Sequence, residues 1–79
     1  MEDKELWLQV FAFEITGLDR AGIVFVAAEN SINAYQYLSE KSIFKNYTIK
    51  FDKIIQGLYY TKDINDTKGK ILYKNIIDL

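Results

Sequence analysis

The side chains that most often carry catalysis are missing from this sequence or lack their usual partners. It contains no His and no Cys, which removes the commonest general base, the thiolate nucleophile and the commonest transition-metal ligands. The serines and Thr48 have no imidazole to activate them as nucleophiles. The sequence therefore predicts a protein that is not an enzyme, holds no cofactor and binds no zinc, haem or copper.

Acidic side chains are the remaining candidates for acid–base chemistry. Glu14, Asp63, Asp66 and Asp78 could supply the pair of carboxylates that such catalysis uses. No spacing in the sequence brings two of them together, and acids in a polar loop are normally solvated. The spacing of a calcium-binding loop is also absent. We expect neither a catalytic carboxylate pair nor a metal site.

The segment 16–22 is rich in glycine, with Gly17 and Gly22 at its ends and Asp19 between them. A phosphate-binding loop would end in Lys-Ser or Lys-Thr and lead into the N-terminus of a helix, and this segment does neither. Gly and Asp are the usual residues of tight turns. The segment is therefore predicted to be a hairpin turn.

Hydrophobic periodicity gives the elements that must position any functional side chain. Period-two runs and short apolar runs indicate strands, and a one-sided apolar stripe of Ile32, Tyr35 and Leu38 indicates a surface helix. In chain order the prediction is strand, strand, helix, long strand and strand, over 6–15, 23–28, 31–42, 47–61 and 70–77. Residues 47–61 could also form two short strands. The expected fold is one α+β domain spanning residues 1–79, β-β-α-β-β, in which a four-stranded, mainly antiparallel sheet carries the helix on one face. A strongly curled sheet that wraps the helix is the alternative.

The long third strand contains a break in its alternation. Tyr47, Ile49 and Phe51 fall on one face, but the parity fails at residues 53–55. One extra residue moves every later side chain to the other face, so a β-bulge is predicted within 52–55. Gly57 is a second candidate for a bend. In the last strand, Lys70 and Lys74 are typical of an edge that resists pairing with other chains.

The first strand is apolar on both faces, which is unusual for a small domain. One helix can cover one face of the sheet, so the second face needs another cover. We expect it to be a partner surface, most simply a homodimer interface, in a non-enzymatic protein-interaction module. Longer loops or a curled sheet of the same chain could also cover it. The predicted interface residues are Trp7, Gln9, Phe11, Phe13 and Ile15.

A second hypothesis is a small nucleic-acid-binding regulator. Aromatic side chains on a sheet can stack with bases while lysines contact phosphates. The chain has only one Arg and a pI near 5.3, and its first 29 residues contain six acidic against two basic residues. These features favour the protein-interaction hypothesis. The residues of the alternative surface are Lys50, Lys53, Tyr59, Tyr60 and Lys62.

The sequence also bears on the cellular compartment. Its first five residues are mainly acidic, and no apolar run approaches the roughly 20 residues that cross a bilayer. The expected location is the cytoplasm, without membrane association.

Overall fold

The computed structural model describes residues 7–79 and forms one antiparallel sheet with short helices. The strands follow the order β3-β1-β2-β4. This confirms the predicted α+β class with a four-stranded antiparallel sheet and a helix on one face. Leu6, predicted to begin the first strand, lies outside the described residues. The elements are β1 (Trp7–Thr16), β2 (Arg20–Ala28), α1 (Ser31–Ser39), a 3-10 turn (Ser42–Phe44), β3 (Thr48–Tyr60), α2 (Ile64–Thr67) and β4 (Ile71–Asp78).

Three boundaries differ from the sequence prediction. β2 begins at Arg20, because the hairpin turn closes early with a hydrogen bond from the Gly17 amide to the Arg20 carbonyl at 2.8 Å. α1 ends at Ser39 rather than at residue 42. The polar segment 62–69 contains the short helix α2, which begins where the Asp63 side chain accepts hydrogen bonds from two backbone amides. Asp63 thus acts as a helix cap.

β1 is a central strand, paired with β2 on one side and β3 on the other. The β3 side carries the predicted irregularities. Phe13 lies opposite Phe51, and Ala12 lies opposite Lys53, so Asp52 is an extra residue. Further shifts follow at residues 54–56 and 56–59. The bulge predicted within 52–55 is therefore confirmed, and the shift beside Gly57 agrees with its prediction as a bend.

The core lies between the sheet and α1. Ala34 and Leu38 are the buried residues of the helix, and Asn30 caps its first turn by accepting a hydrogen bond from the Asn33 amide at 2.7 Å. The predicted stripe is wrong at Ile32 and Tyr35, which are 71% and 47% exposed, because the helix turns its small Ala34 toward the sheet. The core cluster consists of Phe11, Phe13, Ile15, Val24, Val26, Ala28, Ala34, Leu38 and Phe44.

Gly22 permits a close approach between β2 and β4. A Cβ atom at this position would lie 2.1 Å from the Asn75 carbonyl oxygen and 2.6 Å from the Ile76 Cα. Both are backbone atoms, so they cannot move aside as a flexible side chain would. Gly22 is therefore a strand residue whose missing side chain lets β4 pack tightly.

A polar cluster ties α1 and the residue that precedes its cap to the segment that enters β4. The Tyr37 hydroxyl lies 2.9 and 3.0 Å from the two carboxylate oxygens of Glu29, and Lys68 Nζ lies 3.8 Å from that carboxylate. Gly69, with a positive φ of 83°, packs against the Tyr37 ring. The cluster thus connects the residue before the cap of α1, α1 itself and the segment that follows α2 at one end of the sheet.

Candidate interaction surface

The structure places the five predicted interface residues in two different environments. Phe11, Phe13 and Ile15 are buried in the core beneath α1. The expectation that they form an open face is wrong, because the helix covers this face and not the opposite one. Trp7 remains exposed and Gln9 is partly exposed.

The opposite face of β1 is buried as well. Leu8, Val10 and Ala12 are at most 4% exposed, although they lie outside the core cluster. Ala12 lies between Phe25 of β2 and Lys53 of β3 in the sheet. In the middle of β1, therefore, both faces are covered by the chain itself, as in the alternative to a partner surface.

The helix is too short to cover the whole face on which it lies. α1 has 9 residues and is roughly 13 Å long at 1.5 Å per residue. β3 has 13 residues and extends over roughly 43 Å at 3.3 Å per residue. The β3 side of the helix-bearing face consequently extends beyond the helix, so the helix does not cover the apolar side chains that lie there.

These side chains follow one strip of the helix-bearing face, which we call the β3 band. Residues directly opposite each other in an antiparallel pair share a face. Phe51 lies opposite Phe13, Ile54 opposite Phe11 and Tyr60 opposite Trp7, and α1 extends the strip at one end. Its members are 40–71% exposed. The β3 band consists of Trp7, Ile32, Tyr35, Phe51, Ile54 and Tyr60.

Members of the β3 band lie close together at each of its two ends. The rings of Trp7 and Tyr60 meet edge to face, with centroids 5.4 Å apart. At the other end, a groove of about 410 Å³ separates α1 from β3. Its lining is apolar apart from Ser31 and Gln36. No member of the band is charged, and charged residues are depleted at the centres of protein interfaces in the same way.

The area of the β3 band is comparable with the largest apolar patch that a typical monomer exposes. Its four aromatic residues alone expose on the order of 350 Å², taking roughly 200 Å² for each when fully exposed. Ile32 and Ile54 enlarge the patch further. The largest apolar patch on a typical monomer measures roughly 300–600 Å² and is often functional.

A second apolar depression lies on the opposite face of the sheet, between β2 and β4. It has a volume of about 390 Å³. The rings of Phe25 and Tyr73 form its floor, with centroids 5.0 Å apart. Ile23 and Ile77 flank these rings, and Asn75 is its polar side chain. This depression opens beside the outer edge of β4, which pairs with no other strand among residues 7–79.

The five residues of the alternative nucleic-acid surface are divided by the fold. Lys50, Lys53 and Tyr59 lie opposite residues of the helix-free face of β1, and so share that face. Tyr60 lies on the other face, and Lys62 follows the end of β3. The partner of Lys50 across the strands is Glu14, which offsets its positive charge.

The candidate carboxylates lie in different elements, except that Asp63 and Asp66 both stand at the start of α2. Asp63 caps α2. Asp78 pairs with Arg20, whose Nε lies 2.9 Å from Asp78 Oδ1, and this carboxylate raises the pKa of Arg20. Within residues 7–79, no three His, Cys, Asp or Glu side chains are close enough to hold a metal ion together.

The Glu29–Tyr37 contact changes the acidity of both groups. Partial burial and the nearby Glu29 carboxylate raise the pKa of Tyr37 to about 12. For Glu29, burial acts to raise the pKa, but hydrogen bonds from its own backbone amide and from Tyr37, with Lys68 nearby, lower it overall. Both shifts hold the proton on Tyr37 and the charge on Glu29, so the cluster is structural at neutral pH.

Comparisons with known proteins add no family to this description. No family model matches the chain, and no curated protein or solved structure matches it. Among the described residues, no helix is both long enough and apolar enough to cross a membrane.

Sequence reasoning missed most of the β3 band. Ile54 and Tyr60 reach the helix-bearing face only because extra residues in β3 shift the parity between Phe51 and Tyr60. The broken alternation indicated a bulge. The number of bulges decides on which face of the sheet Ile54 and Tyr60 lie, and that number depends on the pairing of β3 with β1. Trp7 was the one band residue among the predicted interface residues.

Proposed function

We propose that this protein is a non-enzymatic, cytoplasmic protein-interaction module that self-associates through the β3 band. The observation that carries the proposal is the extent of the band, an uncharged strip that runs from Ile32 on α1 to Tyr60 at the end of β3. Burying such a strip removes apolar surface from water, which is the main favourable term in protein association.

A second copy of this chain is the partner that suits the band best. A stable interface buries about 800 Å² on each partner, and the apolar strip with its polar neighbours Gln9, Ser31 and Gln36 is of this order. An apolar strip without charge is compatible with itself about a two-fold axis, since no like charges are brought together. Trp and Tyr are also enriched among the few interface residues that contribute most of the binding energy.

Sedimentation of matched isoleucine variants tests the proposal. Ile54 in the band is 53% exposed, and Ile43 in the 3-10 turn is 55% exposed. Ile54→Asp should weaken self-association at least tenfold, because it buries a charge in the interface. Ile43→Asp should leave self-association unchanged, although it removes a similar area of exposed apolar surface. Equal effects of the two substitutions, or a wild-type chain that stays monomeric at several hundred micromolar, would contradict the proposal.

Nucleic-acid binding is the alternative, supported by the shared face of Lys50, Lys53 and Tyr59. Two features make it the weaker proposal: Glu14 lies opposite Lys50, and Tyr60 lies on the other face. Titration of the protein with a single-stranded oligonucleotide at low salt distinguishes the two. Binding that falls steeply with added salt and is lost in Lys53→Ala would favour the alternative.

A further inference from the structure

The two edges of the sheet are built differently. β3, at one edge, departs from regular pairing with β1 at three places. Bulges of this kind protect an edge strand from pairing with other chains. β4, at the other edge, pairs with β2 in unbroken register from Tyr73 to Asp78. It contains no Pro, and only Lys74 among the predicted guarding lysines lies within it, since β4 begins at Ile71.

We propose that β4 is a second self-association surface, where it pairs antiparallel with β4 of another copy about a two-fold axis at Ile76. The outer backbone amides and carbonyls of a regular edge strand are available to such a partner. Pairing would join the two sheets into one continuous sheet of eight strands. This inference does not rest on the β3 band, which lies at the opposite edge.

Charge complementarity selects this register. With Ile76 opposite Ile76 of the second copy, Lys74 of each chain lies opposite Asp78 of the other. Lys74 and Asp78 are on the same face, since they lie opposite Val24 and Arg20, two positions of β2 that share one face. Opposite charges directly across an antiparallel pair are stabilising, whereas the register that sets Lys74 against Lys74 is repulsive.

Asp78 can accept this second cation. Its ion pair with Arg20 uses Oδ1, and its side chain is 80% exposed. The second oxygen can therefore face Lys74 of the other copy while the first keeps its contact with Arg20.

The other face of β4 supplies apolar contact. In the same register, Asn75 lies opposite Ile77 of the second copy, and these two residues line the depression between β2 and β4. Ile77 from the partner would extend the apolar surface formed by Phe25 and Tyr73. The interface would thus combine a backbone ladder, two charge pairs and a joined apolar surface.

The test uses the Ile54→Asp chain, in which the β3 band is disrupted. By sedimentation, this chain should still dimerise through β4. Adding Lys74→Asp sets Asp against Asp78, and adding Asp78→Lys sets Lys against Lys74, so each should weaken dimerisation at least tenfold. An equal mixture of the two variants should associate again, because both pairs become complementary. Lys70→Asp, just before β4, is the matched control and should have no effect.

Asp78→Lys also removes the ion pair with Arg20, so amide hydrogen exchange provides an independent measurement. In the Ile54→Asp chain, amides within Lys74–Ile77 should gain protection as the protein concentration rises. Absence of that gain, a mixture no stronger than its components, or a monomeric Ile54→Asp chain would overturn β4 pairing. If the Ile54→Asp chain is monomeric, the proposal that the protein self-associates through the β3 band still stands. Conversely, full association of the Ile54→Asp chain that depends on Lys74 would overturn the band and support β4.

Discussion

The ring of Phe51 meets the ring of Phe13 edge to face, with centroids 5.7 Å apart and planes inclined by 72°. Phe13 is fully buried, whereas Phe51 is 44% exposed. The boundary between the core and the β3 band therefore passes between two phenylalanines that lie opposite each other on neighbouring strands. Position relative to α1 decides which of them serves stability and which is available to a partner.

Truncation of these two rings should separate stability from association. Phe13→Ala should lower the free energy of unfolding by about 3–5 kcal/mol, since it leaves a cavity in the core. Phe51→Ala should cost markedly less, because much of its ring already faces solvent, and should weaken self-association. Urea unfolding at one fixed protein concentration, with sedimentation alongside, measures both effects. Equal losses of stability would show that Phe51 belongs to the core.

Two glycine substitutions should have opposite effects on stability. Gly22→Ala should destabilise the fold by about 3 kcal/mol or more, because its new methyl group collides with the backbone of β4. At Gly57, by contrast, an added Cβ atom would meet no other atom of residues 7–79 within 4 Å. Gly57→Ala should therefore raise stability by roughly 0.5–1 kcal/mol, as expected for Ala over Gly in a strand. Thermal unfolding of the two variants provides the comparison, and a tolerated Gly22→Ala would refute the tight packing of β4.

Removal of the Tyr37 hydroxyl should reduce stability in a way that depends on pH. Tyr37→Phe should cost about 1 kcal/mol at pH 7, the usual net value of such a hydrogen bond. Because the pKa of Glu29 is lowered by folding, its stabilising contribution is complete above its usual value of 4.5 and is lost as pH falls through the lower folded value. The difference between wild type and Tyr37→Phe should therefore shrink in acid.

At alkaline pH, the titration of Tyr37 itself decides whether stability rises or falls with pH. Its pKa is raised by folding, so its contribution is complete below 10 and is lost as pH rises through about 12. Unfolding free energies of both proteins between pH 3 and pH 9 should show a constant difference from about pH 6 upward. A difference that grew in acid would contradict the role assigned to the Glu29 carboxylate.

The cap of α1 should be worth a measurable part of the stability. Asn30→Ala removes the acceptor for the Asn33 amide and should cost about 1 kcal/mol. Asn46→Ala, at an exposed position before β3, is the matched control and should change stability by less than about 0.5 kcal/mol. Circular dichroism during urea unfolding measures both. Equally small effects of the two substitutions would mean that water replaces the hydrogen bond that the Asn30 side chain accepts.

The sequence by itself determined the four strands, the helix α1, their order along the chain and the bulge in β3, but not the short helix α2. Alternation of apolar residues is a local property, and a single misplaced Lys53 is enough to reveal an extra residue in the strand. The hairpin turn likewise depends on neighbours within a few positions. Such features are accessible from the sequence because their energetics are local.

Only the tertiary structure decided which apolar residues are exposed. The sequence showed that β1 is apolar on both faces, but not that α1 would settle over Phe13 and Ile15 and leave Ile54 and Tyr60 uncovered. That outcome depends on the length of one helix relative to a longer strand and on the register between β1 and β3. It also depends on the passage of β4 close to Gly22. These are relations between distant parts of the chain, so no pattern within one segment encodes them.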